Sequence, residues 1–260
     1  MSPSEAPDSP PQLSIDQQIA TITLRRPQRA NRLEPGDLPV LMSYFEQLAG
    51  QHAQVRALVL TGTGRHFSAG FDLGSISQAV EGNASADFSR MVDALESLPQ
   101  TTICAINGGV FGGATDFALA CDFRIGIPET RLFMPAARFG LHYYASGIQR
   151  YLTRLGMNAA KRLFLLAEEL QAQELLAIGY LTQIVPAEEL MTQALATARR
   201  AAALAPLSCA GMKAALNAMA ADRYDPEEGQ RIYQACMASA DLQEGIAALR
   251  EKRAPVFHAR

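Results

Sequence analysis

Two glycine-rich turns, each placed after a short apolar run, constrain this chain more than any other feature. Residues 56–61 lead to the turn Ser68-Ala69-Gly70-Phe71, and residues 101–106 lead to the turn Gly112-Gly113. Short runs of apolar and β-branched residues are typical of buried strands, and glycine lets the backbone direct its N–H groups into a cavity. At the ends of neighbouring strands, such turns can aim two amides at one oxygen, which is the geometry of an oxyanion hole.

The spacing of apolar residues predicts an α/β fold. Ala20, Ile22 and Leu24 recur at every second position, as on a strand with one buried face. Strands and helices alternate up to about residue 127, which predicts βαβ units around a mostly parallel sheet. From Met157 onward the periodicity is helical, and the alanine-rich stretch 194–205 suits close helix–helix contact.

The sequence predicts three regions along the chain. The first residues are rich in proline and serine and lack the apolar core of a signal peptide. We therefore expect a disordered leader over residues 1–12. The predicted β/α core covers residues 13–200, and the predicted C-terminal helical region covers residues 201–260.

Charge and composition argue against several classes of function. The chain has 260 residues and a net charge of -3, which disfavours a surface for nucleic acid or for an anionic membrane. It has no run approaching the roughly 18 apolar residues of a membrane helix. Its four cysteines have no CxxC spacing and its four histidines do not cluster, so no metal site is expected. The default compartment is the cytoplasm.

Several motifs resemble those of a known family. HFSAGFDL is similar to the first signature of the crotonase superfamily, the enoyl-CoA hydratase/isomerase enzymes, and NGGVFGGATDFALACDFRIG is similar to its second. The segments RRPQRANRL, RLFMPAARFGL, AQELLAIGYLTQIVP and EKRAPVF resemble further family segments in the same order. The resemblance extends from about Leu13 to His258.

The resemblance implies a fold, an assembly and a substrate class. The expected fold is a spiral ββα core that binds acyl-CoA, followed by a C-terminal helical trimerisation region, assembled as a homotrimer or a dimer of trimers. The expected substrate is an acyl thioester of coenzyme A, and no other cofactor is implied.

The same resemblance assigns roles to individual residues. The N–H groups of Phe71 and Gly113 would hold the thioester carbonyl and stabilise an enolate, with Asp116 as the catalytic acid. The positions that it assigns to substrate or coenzyme A are Arg29, Ala30, Ala69, Gly70, Asp72, Leu73, Gly112, Ala136 and Tyr144.

The chain departs from the family pattern at the proton-handling positions. The family's hydratases use two glutamates to activate one water; here the first position is Asp116 and the second is Ala136, which cannot exchange a proton. The water-positioning glycine segment is replaced by His142-Tyr143-Tyr144. One carboxylate can still shuttle protons if its pKa is raised toward neutrality. Any of these three side chains can supply the second proton-handling group, although adjacent tyrosines on a strand would not both point inward.

The leading interpretation is an enoyl-CoA isomerase or hydratase-like enzyme. Thioester hydrolysis, C–C cleavage and decarboxylation also fit one acid beside an oxyanion hole. An acyl-CoA binder that has lost catalysis is a separate alternative, but such a binder has no need for an acid at Asp116. An RNA-associated relative is disfavoured by the acidic balance.

Three of the assigned residues also have structural interpretations. An acid at Asp116 is favoured in the first turn of any helix. Arg29 suits the phosphates of coenzyme A but is equally typical of a solvated loop. Asp72 fits ordinary turn or cap chemistry.

Overall fold

Two β-sheets lie at the centre of the computed structural model, which describes residues 8–72 and 84–260. The described strands are β1 (Ser9–Asp16), β2 (Ile19–Arg25), β3 (Ala57–Gly62), β4 (His66–Ser68), β5 (Thr101–Ile106), β6 (Gly109–Phe111), β7 (Phe123–Gly126), β8 (Arg131–Phe133), β9 (Glu169–Gln171) and β10 (Gln183–Ile184). The larger sheet has the order β1-β2-β3-β5-β7-β10 and the smaller has the order β4-β6-β8-β9. Pairing is parallel except for β1 with β2 and β8 with β9, which confirms the predicted α/β class.

Helices account for most of the remaining described residues. They are α1 (Asp37–Gly50), α2 (Ala84–Glu96), α3 (Gly113–Leu119), α4 (Ala145–Leu165), α5 (Ala172–Ala177), α6 (Leu190–Ala202), α7 (Pro206–Ala220), α8 (Pro226–Met237) and α9 (Ala240–Glu251). Short 3-10 helices occupy Pro27–Arg29, Ala136–Phe139 and Ala187–Glu189. Helix α1 forms because its buried leucines and phenylalanine recur every three or four residues and face the core.

Strand β3 is buried on both faces, which explains its unbroken apolar sequence. Its Leu58 and Leu60 side chains join the main core, whereas Val59 joins a smaller core under α6. The alanines of α6 let this helix approach the sheet closely, with Ala194 and Ala198 fully buried. These alanines therefore pack against the sheet, not against another helix of the same chain as expected.

The smaller sheet places both glycine-rich turns at one edge. Strands β4 and β6 are parallel neighbours, and each ends immediately before one of the turns. The longer runs that precede them, β3 and β5, are parallel neighbours in the larger sheet. The two turns are thus brought side by side by adjacent strands, as the sequence predicted.

The expected leader was too long at its C-terminal end. Residues 9–12 belong to β1, which pairs with β2. The Arg25 side chain fixes this segment by donating to the Pro10 carbonyl at 3.2 Å and to Gln12 Oε1 at 2.8 Å. Because these residues gain ladder and side-chain hydrogen bonds, their polar, proline-rich composition did not prevent order.

The C-terminal helices α7, α8 and α9 come after the last strand, and hydrogen bonds and an ion pair join the C-terminal region to the core. Arg56 donates to the Phe257 carbonyl at 2.5 Å, and Lys213 Nζ lies 2.8 Å from Asp122 Oδ2. Among the described residues, no helix is long and apolar enough to cross a membrane.

Candidate active site

The two glycine-rich turns lie directly against each other. Gly70 has a φ of +86°, and a Cβ atom placed on it would lie 2.8 Å from the Gly113 nitrogen and 2.6 Å from the Phe111 carbonyl oxygen. Side-chain carbons do not tolerate such distances, so only glycine lets the two backbones approach this closely. Gly112, with a φ of +53°, begins the bend on the other side.

The amides of Phe71 and Gly113 lie at this junction. The nearby Ala69 amide is used within the protein, because it donates to the Ala30 carbonyl at 2.7 Å. Within residues 8–72 and 84–260, by contrast, no acceptor is paired with the Phe71 or the Gly113 amide. Gly113 begins α3, and the N–H groups of a first helical turn have no acceptor in their own helix. Two such donors can stabilise negative charge on a single carbonyl oxygen.

Aromatic rings form one wall of the junction. The Phe88 ring lies close to Gly113, since a Cβ atom on that glycine would be 2.8 Å from Phe88 Cζ. The Phe71 and Phe88 ring centroids are 5.5 Å apart, and the Phe88 and Tyr144 centroids are 6.2 Å apart. The two turns are therefore bordered on one side by apolar ring surface.

Asp116 lies on α3 with its carboxyl group fully buried. Its Oδ2 atom accepts hydrogen bonds from Arg150 Nη1 at 2.7 Å and from the Tyr144 hydroxyl. Its Oδ1 atom has no partner among the described residues. Burial raises the pKa of Asp116 above its usual value, and the favourable contacts with Arg150 and Tyr144 offset only part of that rise.

Arg150 is a buried guanidinium that joins three carboxylates. Besides Asp116, it donates to Asp93 Oδ1 at 2.7 Å and to Glu96 Oε1 at 2.9 Å. Burial would lower the pKa of Arg150, but Asp116 and Glu96 hold it above its usual value. Burial would also raise the pKa of Glu96, but the hydrogen bonds and charges of Arg150 and Arg154 hold it below its usual value.

Both tyrosines of the His142-Tyr143-Tyr144 segment point inward. The segment is not a strand: it leads into α4, with Tyr144 as the residue before the helix. The two rings stack with centroids 4.4 Å apart, and Gly147 makes room for them, since a Cβ atom there would lie 2.4 Å from Tyr143 Cε1. His142 is exposed. The expectation from strand geometry was therefore wrong, and Tyr144 is the member that contacts Asp116.

The surface residues assigned to coenzyme A lie in ion pairs. Arg29 is 54% exposed and pairs with Glu34 at 2.7 Å and with Asp8 at 3.3 Å. Asp72 pairs with Arg32 at 3.0 Å. Arg29 therefore has exposed surface but already carries carboxylate partners, which a phosphate would have to displace.

The remaining assigned residues are backbone and core positions. Ala136 is buried at the start of a 3-10 helix, and its carbonyl accepts from the Leu141 amide at 3.0 Å. Ala30 adopts a left-handed conformation with a φ of +48°. Leu73 lies outside the described residues. Five of the assigned residues are in contact, either directly or through Phe88. They are Gly70, Phe71, Gly113, Asp116 and Tyr144.

Sequence reasoning missed Arg150 and its partners on α2. Asp93 and Glu96 are spaced three apart, which would place them on one face of a helix, and this was the available signal. Their cation lies 57 and 54 positions away along the chain, and no local pattern links residues at that separation.

Comparisons with known proteins identify relatives that match nearly the whole chain. The model of the enoyl-CoA hydratase/isomerase family matches residues 14–260. A protein of Mycobacterium tuberculosis named as a probable enoyl-CoA hydratase is 30% identical over 247 residues, covering 93% of this chain and 95% of that protein. The crystal structure of an enoyl-CoA hydratase from Bacillus anthracis superposes with a TM-score of 0.88 at 28% identity, covering 97% of this chain and all of that one. An enoyl-CoA hydratase/carnithine racemase structure from Magnetospirillum magneticum gives a TM-score of 0.90 at 26% identity, covering 97% and 96%.

Proposed function

This chain belongs to the enoyl-CoA hydratase/isomerase family, as its crotonase-like motifs predicted, and from that premise we propose that it isomerises enoyl-CoA thioesters through an enolate. In this proposal the amides of Phe71 and Gly113 hold the thioester oxygen. Asp116 receives the proton lost from one carbon and returns it to another. Coenzyme A enters as part of the substrate, and no further cofactor takes part.

The single observation that carries the proposal is the junction of the two glycine-rich turns. A Cβ atom on Gly70 would lie 2.8 Å from the Gly113 nitrogen, so the peptide that bears the Phe71 amide is next to the Gly113 amide. Loss of a proton beside a thioester carbonyl places negative charge on its oxygen. Removal of one such donor costs about 3–4 kcal/mol of barrier in other enzymes.

The residues around Asp116 favour isomerisation over addition of water. Hydration requires a water held by two proton-exchanging groups, and the second family position is Ala136. In addition, the Tyr144 hydroxyl occupies the Oδ2 side of Asp116. Isomerisation needs one group that takes a proton and gives it back, and a carboxyl with a raised pKa suits that role.

A second candidate is an acyl-CoA binder without turnover. The observation that favours it is the complete burial of Asp116 together with its ion pair to Arg150 at 2.7 Å. A buried carboxylate with such an ion pair is also compatible with a purely structural role. Against it stands the Oδ1 atom, which has no partner among the described residues and so keeps acceptor capacity that the ion pair does not use.

A substrate comparison distinguishes these functions. We expect the protein to convert 3-enoyl-CoA esters to the conjugated 2-enoyl-CoA, and to hydrate crotonyl-CoA at least about 100-fold more slowly, because one proton-handling group is absent. Both reactions are followed through the absorbance of the conjugated thioester. Comparable hydration and isomerisation would refute the preference, and binding of both esters without any turnover would identify the binder.

We further propose that the chain assembles as a homotrimer or a dimer of trimers through its C-terminal helices. These helices leave large apolar side chains exposed, which soluble monomers rarely do over a continuous face. Exposed examples include Met212, Leu216, Met219, Tyr233, Met237 and Leu249. Light scattering after size-exclusion chromatography should give three or six times the 28.0 kDa chain mass, whereas a monomer mass at micromolar concentration would contradict the proposal.

A further inference from the structure

The hydroxyl of Tyr144 covers the carboxyl group of Asp116. Asp116 has no exposed surface, and its Oδ2 atom accepts the hydrogen bond that Tyr144 donates. Tyr144 itself is only partly buried. Resting on the proposed function, we propose that Tyr144 is a catalytic residue that relays protons between substrate and Asp116, and that Arg150 is a positioning residue that holds Asp116 for this relay.

The position of Tyr144 relative to the two amides supports this role. Its ring makes a T-shaped contact with that of Phe88, with centroids 6.2 Å apart, and Phe88 in turn lies against Gly113. Tyr144 is therefore one aromatic ring away from a proposed oxyanion donor. It lies on the same wall as Phe71, whose ring centroid is 5.5 Å from that of Phe88.

The neighbouring candidates lack this contact. His142 is exposed, and within the described part of the chain it makes no hydrogen bond to Asp116. Tyr143 is buried, and its hydroxyl donates to the Tyr144 hydroxyl at a long 3.4 Å rather than to Asp116. Of the three side chains that replace the glycine segment, Tyr144 alone joins Asp116 to partly exposed surface.

Arg150 fixes the orientation of the acid. It binds the same Oδ2 atom as Tyr144, at 2.7 Å, and is itself held by Asp93 and Glu96 of α2. A guanidinium with three carboxylate partners cannot rotate freely. The carboxyl group is thus held with one oxygen shared between a cation and a hydroxyl, which favours the ionised form that accepts a proton.

The relay balances in protons and electrons. The substrate C–H bond next to the thioester breaks, its electron pair moves into the enolate, and its proton passes to Tyr144 Oη. The original Tyr144 proton passes simultaneously to Asp116 Oδ2, so the phenol stays neutral. Reversal of both transfers delivers a proton to the γ carbon, which completes the shift of the double bond and restores the carboxylate.

The phenol must remain protonated for this relay, and its surroundings favour that state. Burial, followed by the charge of Asp116, raises the pKa of Tyr144 well above its usual value. The titratable groups that face Asp116 are Arg150 and Tyr151 of α4, Tyr143 and Tyr144 before α4, Glu96 of α2 and Tyr180.

Removal of one hydroxyl tests the relay. We expect Tyr144→Phe to lower kcat for isomerisation about 100-fold with little change in KM. The matched control Tyr143→Phe should lower it by less than about tenfold, the worth of one neutral hydrogen bond. Exchange of the substrate α proton with deuterated water, followed by NMR, should slow in Tyr144→Phe as much as turnover does. Equal activity of both variants would overturn the relay.

The pH profile tests the positioning role. Where Arg150→Met folds, the acidic limb of kcat/KM should move up by about one pH unit or more, because Asp116 loses its cation. Arg150→Lys keeps the charge but loses the planar fork, so it should move the limb up by a smaller amount. An unmoved limb in active variants would overturn this part. Should Arg150→Met not fold, Arg150→Lys decides alone, with an upward shift supporting the role and no shift opposing it. An inactive wild type refutes the proposed function instead, so the two failures are distinguishable.

Discussion

Replacement of Asp116 by asparagine should reduce isomerisation by about 10³- to 10⁴-fold, toward the upper end of what a general acid–base residue contributes. Asparagine preserves the size of the side chain, and its carbonyl oxygen can still accept hydrogen bonds from Arg150 and Tyr144. It cannot take up a proton. The loss should therefore fall on kcat, measured with a 3-enoyl-CoA ester, and leave the dissociation constant of a saturated acyl-CoA ester within a few-fold of the wild-type value.

Asp122→Asn is the matched control for that experiment. Asp122 follows the C-terminal end of α3 and accepts from Lys213 at 2.8 Å and from the Thr102 amide at 2.7 Å. It ties the C-terminal helices to the core and has no role in the proposed chemistry, so its replacement should leave turnover of the folded protein within a few-fold. Retention of activity in Asp116→Asn would remove Asp116 from the mechanism and favour a structural role for this acid.

Replacement of Arg150 by methionine should lower the free energy of unfolding by about 3–5 kcal/mol at pH 7, because removal of one partner leaves buried charge uncompensated. Arg150 is 2% exposed and Asp116 is fully buried, so water cannot replace the lost guanidinium. Denaturant unfolding followed by circular dichroism measures the loss. Arg90→Met on α2 is the control: its ion pair with Asp87 is exposed, and exposed pairs contribute about 1 kcal/mol or less.

The deficit of Arg150→Met should depend on pH in a defined direction. Without its cation, Asp116 has a folded-state pKa raised further above that of the unfolded chain. A group raised in this way stabilises the fold at pH values below its unfolded pKa and loses that contribution as pH rises through its folded pKa. The difference between variant and wild type should therefore be largest near neutrality and shrink toward about pH 4. A deficit that grows as pH falls would contradict this assignment.

The turns could be predicted from the sequence because their information is local. A short apolar run, a bend with glycine and an adjacent helix all lie within about twenty residues of sequence. The strand at 101–106 formed where expected, and the run at 56–61 formed a strand at 57–62. Glycine is required at position 70 partly because the turn itself has a φ of +86° there. It is also required because Phe111 and Gly113 approach closely, and that approach depends on the neighbouring strand.

The environment of the acid could not be predicted in the same way. The partners of Arg150 lie 34, 54 and 57 positions away, and only the packing of α2, α3 and α4 brings them together. The inward orientation of both tyrosines depends on the start of α4 and on the missing side chain of Gly147. An alternation rule for strands could not foresee either condition.

One helix supports both the shape and the acidity of this site. Helix α2 supplies Phe88, which lies against Gly113, and also Asp93 and Glu96, which hold Arg150 beside Asp116. Replacement of Phe88 by a smaller side chain, made to admit bulkier acyl chains, will therefore also disturb the helix whose carboxylates hold Arg150 beside Asp116. Substrate selectivity and the proton affinity of Asp116 thus depend on the same helix. Variants selected for new substrates should therefore show non-additive rate changes when combined with replacements at Arg150.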